Sequence, residues 1–346
     1  MGPALHLSTR TFAANIEAVR ARIAPSQLLL VMKDDAYGHG LSWAVPAALT
    51  AGVSWFGSYD IAAGLRIREL SSDAPARIFS WATSTPDEVE HALEASLDLG
   101  VGTVDYLALI VEASRRTGSV ARVHLKIDTG LNRNGVRRED WGEFVSAARA
   151  AERSGAIRIS GVWSHLSEAS DDEDDASQQI FLDSIDAIES SGPALEHRHL
   201  TASAASWWRP ELRGTLSRIG AFCYGIRSAD GPDLDGIRPA ARLSASVLEI
   251  RADHVVIDLG SFDGVPSSLA GSKVGTPAGP RAMSALGPMT SQVEAWPGAE
   301  IGDEVWIFGS GENGEDTATA LAESIDTVGE EMITRLTSRV RRVIED

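Results

Sequence analysis

The sequence predicts an α/β protein, in which an N-terminal (β/α)8 barrel of the TIM type is followed by a smaller C-terminal β-rich domain. Up to about residue 225, short apolar runs alternate with longer amphipathic stretches, which is typical of repeated β/α units. After residue 240 the pattern changes to β-branched or alternating runs that glycine- and proline-rich turns separate. We therefore place the two domains at residues 1–235 and 236–346, and we expect a terminal helix to close the second domain.

Eight apolar runs supply the strands of the predicted barrel, with helix-like segments between them. The segment at residues 84–90 shows the start of a helix, because it contains an N-cap candidate, an early proline and acidic residues in its first turn. A barrel of this type carries its active site at the carboxyl ends of its strands. The candidate strands are residues 28–33, 53–58, 77–82, 97–101, 122–127, 157–164, 198–202 and 219–223.

The C-terminal domain and one acidic segment have simpler patterns. The runs Ser244–Ile250, Val255–Leu259 and Glu304–Phe308 are β-like, and helical texture returns only from about residue 316. The acidic run Glu168–Asp175 follows the sixth candidate strand. We interpret it as a solvated loop and a helix N-terminus, where the helix dipole favours acidic residues, and we predict no metal site.

Composition and charge exclude several classes of partner. The net charge of −18 disfavours nucleic acid and anionic membranes, although a small anionic ligand needs only a few well-placed donors. Cys223 is the single cysteine, so no disulfide forms within the chain and a reducing compartment fits best. We find neither an apolar stretch of membrane-spanning length nor a signal peptide at Met1–Ala4, and we expect a cytoplasmic protein.

Lys33 is the most informative residue of the chain. It ends the apolar run that begins at Leu28, and the glycine-containing segment Asp34–Gly40 follows it. An amine held at the end of a buried strand either anchors a carbonyl cofactor as a Schiff base or pairs with an anion. The stretch Val31–Gly40 resembles the lysine motif of the alanine racemase family. This resemblance implies a pyridoxal 5′-phosphate (PLP) cofactor attached to Lys33.

A second motif, His124–Val136, ends the fifth candidate strand and also resembles that family. The resemblance implies that Lys126 orients Arg133 beside the phenolic oxygen of the cofactor and the carboxylate of the substrate. In some members the matching lysine is carbamylated. Arginine suits a carboxylate substrate on physical grounds as well, because its planar fork binds a carboxylate with two parallel hydrogen bonds.

Further strand-end residues complete the resemblance, which covers nearly the whole chain. His165 matches a histidine near the cofactor ring, and Arg218 matches an arginine that faces the pyridine nitrogen. Because arginine does not give up its proton, it keeps that nitrogen unprotonated and the cofactor a weaker electron sink. The candidate catalytic residues are Lys33, Arg133 and His165, and the candidate cofactor-binding residues are Lys33, Tyr37, His165, Ser203, Arg218, Gly220 and Ala221.

The C-terminal domain departs from the family pattern. Family members use a second base, a tyrosine that the partner subunit supplies across a head-to-tail homodimer, and the resemblance therefore implies such a dimer. All four tyrosines of this chain lie at or before Tyr224, and Val247–Ile250 runs directly into Arg251–Val255, so we predict that the tyrosine loop is deleted. Gly329–Glu331 also stands where the family has a tyrosine that contacts the phosphate.

Three functions remain open on the sequence. The first is a racemase or epimerase of a small amino acid, in which His254, Asp263, Glu330 or a water supplies the second proton. The second is PLP chemistry on one face of the substrate, such as decarboxylation, retro-aldol cleavage or elimination, because loss of the loop widens the substrate entrance. The third is a PLP-binding protein without catalytic activity.

Overall fold

The computed structural model describes residues 2–72 and 74–346. In chain order the strands are β1 (Ala4–Ser8), β2 (Gln27–Val31), β3 (Trp55–Ser58), β4 (Arg77–Ser80), β5 (Asp98–Val101), β6 (Ala121–Lys126), β7 (Ile157–Trp163), β8 (His197–His199), β9 (Leu216–Ile219), β10 (Ala241–Ile250), β11 (His254–Ile257), β12 (Lys273–Val274), β13 (Arg281–Ala282), β14 (Ala285–Leu286), β15 (Ser291–Glu294), β16 (Glu304–Phe308) and β17 (Arg341–Glu345). The helices are α1 (Thr9–Ile23), α2 (Leu41–Thr50), α3 (Ile61–Ser71), α4 (Pro86–Glu94), α5 (Val104–Thr117), α6 (Trp141–Arg153), α7 (Asp171–Glu189), α8 (Ser203–Trp208), α9 (Ala318–Glu323) and α10 (Gly329–Thr334).

The chain divides into two compact units, which we call the barrel unit and the sheet unit. The barrel unit comprises residues 19–33 and 48–220. The sheet unit comprises the residues up to Ala18, residues 34–47 and residues 221–346. The domain boundary at residue 235 stays a prediction. Within the described ranges, no helix has both the length and the hydrophobicity that a membrane span requires.

The barrel unit contains eight parallel strands in a nearly closed barrel, so the predicted fold class is confirmed. Neighbouring strands follow the order β8-β7-β6-β5-β4-β3-β2-β9, and every pair along this path is parallel. The strands are buried almost throughout, as expected for a sheet that helices cover. Their carboxyl ends therefore form one rim, on which the residues that follow each strand meet.

Two predicted helix starts are confirmed. In α4 the Thr85 side chain accepts a hydrogen bond from the backbone N–H of Glu88, and the Glu88 carboxylate accepts the Thr85 N–H at 3.0 Å. This reciprocal capping box, with proline in the first turn, is the device that the sequence indicated. The acidic run also opens a helix, because α7 begins at Asp171 with Ser170 as its N-cap.

The eighth barrel strand lies earlier in the chain than predicted. The strand is β9, Leu216–Ile219, whereas residues 221–224 form a short 3₁₀ turn in which the Ile226 N–H donates to the Ala221 carbonyl at 3.0 Å. The prediction of 219–223 failed because both segments are apolar and buried, and a short apolar run does not distinguish a strand from a buried turn. Arg218 thus lies near the end of the strand instead of at its start.

The sheet unit is built around a seven-stranded sheet in the order β14-β15-β11-β10-β1-β17, with β16 also paired to β10. The N-terminal strand β1 runs antiparallel to β10 and parallel to β17. The sequence analysis did not assign a strand to residues 4–8. A strand of five residues carries little pattern of its own, and its partners lie more than two hundred residues away.

The predicted terminal helix is wrong. Two short helices, α9 and α10, are present, but the last element is β17, whose Val343 pairs with His6 of β1. From Arg342 to Glu345 exposed and half-buried residues alternate, which suits a strand at the edge of a sheet. The helical pattern predicted from about residue 316 corresponds to these two helices, the second of which ends at Thr334.

Buried His39 makes the sheet unit sensitive to acid. Its ring is fully buried, with Nδ1 within hydrogen-bond distance of the Ala36 and Tyr37 carbonyls, at 2.9 and 3.1 Å, and burial lowers its pKa to about 4. A lowered folded-state pKa means that stability is complete above the unfolded pKa of about 6.5 and declines as the pH falls toward about 4. We expect His39 to account for a loss of about 2 kcal/mol between pH 7 and pH 5.

Urea unfolding of the wild type and of His39→Gln at both pH values measures this contribution. The variant is expected to lose less stability on acidification, whatever its stability at pH 7. If His39→Gln loses as much free energy of unfolding between pH 7 and pH 5 as the wild type does, the prediction is contradicted.

Candidate active site

Lys33 lies two residues beyond the carboxyl end of β2, at the rim of the barrel. The next four residues, Asp34–Tyr37, all have left-handed backbone angles, with φ between 53° and 57°. Non-glycine residues adopt this conformation at a cost of about 1–2 kcal/mol each. Such strain is concentrated at functional sites, and no residue type in this segment indicates it. Asp35 supports the turn, because its Oδ1 accepts the Leu41 N–H at 2.7 Å.

Gly38 closes this left-handed turn for steric reasons. Its φ is +77°, and a Cβ at this position would lie 2.7 Å from the Ile333 carbonyl oxygen. Only glycine fits both the backbone angle and the close approach of the α10 backbone. The glycine of the predicted lysine motif is therefore explained by packing inside the sheet unit.

Lys126 is the last residue of β6 and is nearly buried. Its Nζ donates a hydrogen bond to the Arg133 carbonyl oxygen at 3.0 Å and lies 4.4 Å from the centre of the Trp163 ring. Burial, with the neighbouring charges of Arg218 and Arg133, lowers the pKa of Lys126 to about 8. Lys126 thus holds the loop that carries Arg133 through its backbone, while the Arg133 side chain is exposed.

Arg218 is fixed by the ends of the neighbouring strands. Its guanidinium donates to three backbone carbonyls, those of His199 and Ser164 at 2.7 Å and that of Leu200 at 3.0 Å. It also donates to Nδ1 of His165 at 3.1 Å. Five donors in a rigid fork suit such a ring of acceptors, which a lysine ammonium does not match.

His165 follows β7 and is surrounded by cations. Burial, and then the charges of Arg218, Arg133, Lys126 and Lys33, lower its pKa to about 3, so the ring is neutral at physiological pH. Its Nδ1 accepts from Arg218, and its proton therefore resides on Nε2. The positive charges of four side chains thus act on one ring in a chain whose net charge is −18, and one of them, Arg218, contacts it directly.

Ser203 and Gly220 lie at the two strand ends where barrels bind phosphate. Ser203 is the first residue of α8, and Gly220 follows β9 directly. The Gly220 N–H donates to the Ser203 hydroxyl at 3.3 Å, so a hydroxyl and a backbone N–H are side by side. Both groups are able to donate a hydrogen bond to a phosphate oxygen.

The other two predicted cofactor residues, Tyr37 and Ala221, belong to the sheet unit. Tyr37 packs on Tyr224 with ring centres 5.3 Å apart, and burial together with the charge of Glu330 raises the pKa of its hydroxyl. Ala221 starts the turn that contains Tyr224. The barrel unit therefore brings together seven predicted residues: Lys33, Lys126, Arg133, His165, Ser203, Arg218 and Gly220.

Glu168 makes a contact that the sequence did not indicate. The residue as a whole is exposed, in agreement with the predicted solvated run, yet its Oε1 accepts the Ala205 N–H at 3.0 Å. Its backbone is left-handed with φ 54°, and its own N–H donates to Asp174 at 3.2 Å. Burial raises the pKa of Glu168. An unusual backbone angle at an acidic residue beside Arg218 was the only signal, and a sequence does not show backbone angles.

These residues fit an anionic, ring-bearing cofactor. Lys33, Lys126, Arg133 and Arg218 supply positive charge, while Ser203 and Gly220 supply neutral donors. A (β/α)8 barrel with a strained lysine turn and this cation cluster defines a fold-type III PLP-dependent enzyme. The chain belongs to the alanine racemase family, and members of that family use PLP.

The comparisons with known proteins cover almost the whole chain. The family model "Alanine racemase, N-terminal domain" matches residues 7–228, and "Alanine racemase, C-terminal domain" matches residues 247–344. The alanine racemase of Thermobifida fusca is 33% identical over 356 residues, which span 96% of this chain and 95% of that protein. The enzyme of Beutenbergia cavernae is 34% identical over 362 residues, with 96% and 94% covered. The structure of alanine racemase from Streptomyces coelicolor superimposes with a TM-score of 0.93 at 29% identity, covering 100% of this chain and 98% of the other.

Proposed function

We propose that this protein is a PLP-dependent racemase of a small amino acid, with alanine as the first substrate to test. The contact of Arg218 with the neutral ring of His165, together with the positive charges of Lys33, Lys126 and Arg133 that act on the same ring, supports the proposal. Such a cluster holds a cofactor and a substrate that are both anionic. Alanine as substrate rests on the names of the relatives, which are alanine racemases from bacteria.

In this proposal Lys33 holds the cofactor through Nζ, and the same amine removes or returns the α-proton on one face of the substrate. PLP supplies the electron withdrawal that makes the α-proton acidic. Arg133 binds the substrate carboxylate, and Lys126 keeps its loop in place through the 3.0 Å bond to the Arg133 carbonyl. Ser203 and Gly220, which lie side by side in the barrel unit, bind the phosphate.

Arg218 moderates the cofactor. Its guanidinium has donors only, and three carbonyls and His165 hold it in place. Placed beside the pyridine nitrogen of the cofactor, it would supply no proton to that nitrogen, so electron withdrawal would stay modest. A modest electron sink suits a brief carbanion that is reprotonated, and it disfavours side reactions.

The second face needs a proton donor other than a C-terminal tyrosine, since none follows Tyr224. Asp263 is an unsuitable donor, because it is fully buried, accepts the Gly260 N–H at 2.8 Å and pairs with Arg339. His254 is less buried, and its Nδ1 lies 2.8 Å from Asp253. His254, Glu330 and a water therefore remain the candidates.

Chemistry on one face only is the second candidate function, and the connection between β10 and β11 favours it. Residues 251–253 join the two strands, and the Arg251 N–H donates to the His254 carbonyl at 2.9 Å, which makes a tight hairpin. This short hairpin supports our interpretation that the family's tyrosine loop is deleted. Decarboxylation, retro-aldol cleavage and elimination need Lys33 but no acid on the opposite face.

Incubation of the purified protein with PLP and an amino-acid panel in deuterated water distinguishes the candidates. Racemisation predicts α-deuterium in both enantiomers recovered from one enantiomer of alanine. Deuterium confined to the starting enantiomer overturns racemisation, and loss of CO2 or side chain from another amino acid supports chemistry on one face. A turnover below about 1 per second for every amino acid supports a binding protein.

Lys126→Met tests the positioning of Arg133. The variant keeps a side chain of similar length but loses the charged bond to the Arg133 carbonyl, which is worth about 1.5–3 kcal/mol. We expect KM for the amino acid to rise about tenfold or more, with a smaller change in kcat. Steady-state kinetics measure both, and a variant with wild-type KM contradicts the assignment.

We also propose a head-to-tail homodimer, as the resemblance implies. A partner subunit then supplies the groups that the second face lacks in this chain. Sedimentation velocity at micromolar concentration measures the mass directly. A species of 36.8 kDa alone contradicts the proposal.

A further inference from the structure

A continuous line of buried polar side chains crosses the interior of the barrel unit. Asp98 Oδ2 lies 3.1 Å from His124 Nε2, His124 Nδ1 lies 2.8 Å from His199 Nε2, and His199 Nδ1 lies 3.4 Å from Arg218 Nη1. Asp98, His124 and His199 are fully buried, and Arg218 is 5% exposed. We call these four residues the barrel relay.

The position of each ring proton in the barrel relay follows from the fact that Arg218, at one end of the relay, only donates hydrogen bonds. Arginine only donates, so the His199 Nδ1 that faces it carries no proton. Burial lowers the pKa of His199 well below its usual value, so the ring is neutral and its proton is on Nε2. The His124 Nδ1 must then accept that proton, which puts the His124 proton on Nε2, facing Asp98.

Asp98 is held as a carboxylate at the other end. Burial alone would raise its pKa, but the hydrogen bond from His124 and the charges of Arg77 and Arg122 hold it well below the usual range. Arg77 donates to both carboxylate oxygens, Arg122 donates to Oδ1 at 2.8 Å, and His124 lies 3.1 Å from Oδ2. The relay therefore begins at a permanent acceptor and ends at a permanent donor.

We propose that Asp98 is a positioning residue for Arg218, acting through His124 and His199. Its carboxylate fixes the tautomers of both rings, so that His199 presents a bare nitrogen to Arg218 and keeps the guanidinium in its place. This inference rests on the proposed function, because it assigns Arg218 to the cofactor. Asp98 lies on β5 and Arg218 on β9, four strands further along the sheet. The side-chain hydrogen bonds of Asp98 go to Arg77, Arg122 and His124, none of which is a candidate cofactor residue.

Asp98→Asn breaks the relay with a minimal change of shape. An amide has one oxygen, and the Oδ1 position, which two arginines approach, attracts it more strongly than the Oδ2 position, which one arginine and the neutral His124 approach. The NH2 group then lies at the Oδ2 position and faces His124 Nε2 as a donor. The His124 proton moves to Nδ1, the His199 proton follows to its own Nδ1, and two donors oppose each other between His199 and Arg218.

Arg122→Gln is the matched control. It removes one ion-pair partner of Asp98, at Oδ1, and leaves the bond between Oδ2 and His124 untouched. A purely structural role for Asp98 predicts that both variants lose stability and that neither changes the tautomers. The proposed role predicts that only Asp98→Asn changes them.

Two-bond 1H–15N correlation spectra of the 15N-histidine-labelled, PLP-loaded protein read the tautomers directly. We expect Nε2–H at both His124 and His199 in the wild type and in Arg122→Gln, and Nδ1–H at both in Asp98→Asn. We also expect kcat to fall about tenfold or more in Asp98→Asn and to change less than about twofold in Arg122→Gln.

Several outcomes overturn the proposal. The proposal is overturned if His124 or His199 of the wild type carries a proton on Nδ1 or on both ring nitrogens. This measurement needs no variant, so it decides the question even if Asp98→Asn does not fold. The proposal is also overturned if the tautomers in Asp98→Asn are those of the wild type, or if they change while kcat stays at its wild-type value. Failure of the proposed function is seen separately, as the absence of a pyridoxyl group on Lys33 after borohydride reduction of the wild type and mass analysis of its peptides.

Discussion

Lys33→Ala is expected to abolish covalent attachment of PLP and to lower turnover by about 10⁴-fold or more. The reason is that Lys33 alone combines an amine at the barrel rim with the strained left-handed turn behind it. Borohydride reduction followed by peptide mass analysis measures attachment, and steady-state kinetics measure turnover. Lys126→Ala is the matched control, because it removes the other lysine of the cluster and leaves Lys33 in place.

The outcomes of this experiment are distinct. A pyridoxyl group found on the Lys33 peptide of the wild type and of Lys126→Ala, but lost in Lys33→Ala, supports the assignment. Attachment that persists in Lys33→Ala shows that another amine holds the cofactor. Turnover within tenfold of the wild type in Lys33→Ala shows that Lys33 does not move the α-proton.

Arg218→Ala is expected to lower the free energy of unfolding by about 3–5 kcal/mol. The substitution leaves three strand-end carbonyls and the His165 ring without their donor, in a region from which water is excluded. Urea unfolding at pH 7.5 measures the change. Arg10→Ala is the control, because the Arg10 side chain is 82% exposed and its pair with Asp346 is a surface contact, for which we expect about 0–1 kcal/mol.

Arg218→Lys separates charge from geometry. It keeps a cation but replaces a five-donor fork by a compact ammonium that does not reach all four acceptors. We expect an intermediate loss of stability. Equal losses in Arg10→Ala and Arg218→Ala contradict the structural role given to Arg218, and a stability of Arg218→Lys equal to that of the wild type contradicts the role of its fork.

The barrel was predictable because its signals are local. Apolar runs at the right spacing indicate strands whether or not their partners are known, and Thr85 and Glu88 cap α4 within one turn. The motifs around Lys33 and Lys126 were equally local, so the lysines were assigned before their surroundings. Those residues lie at the ends of β2 and β6, as a barrel requires.

The rest of the site was not predictable because it depends on tertiary contacts. The left-handed angles of Asp34–Tyr37 have no pattern in residue type, since aspartate, alanine and tyrosine all adopt them here. The line from Asp98 to Arg218 joins four strands through side chains that look like ordinary buried positions in the sequence. The contact of Glu168 with Ala205 likewise appears only once α8 is placed.

The pairing of β1 with β10 and β17 has a consequence for how the chain is synthesised. The ribosome makes Ala4 long before its partners Ser244 and Arg341. Strands β2 to β8 each pair with the strand made just before or after, so they are able to assemble as they leave the exit tunnel. Strand β1 must wait unpaired until β10 and β17 have been made, which exposes it to chaperones and to misassembly during that time.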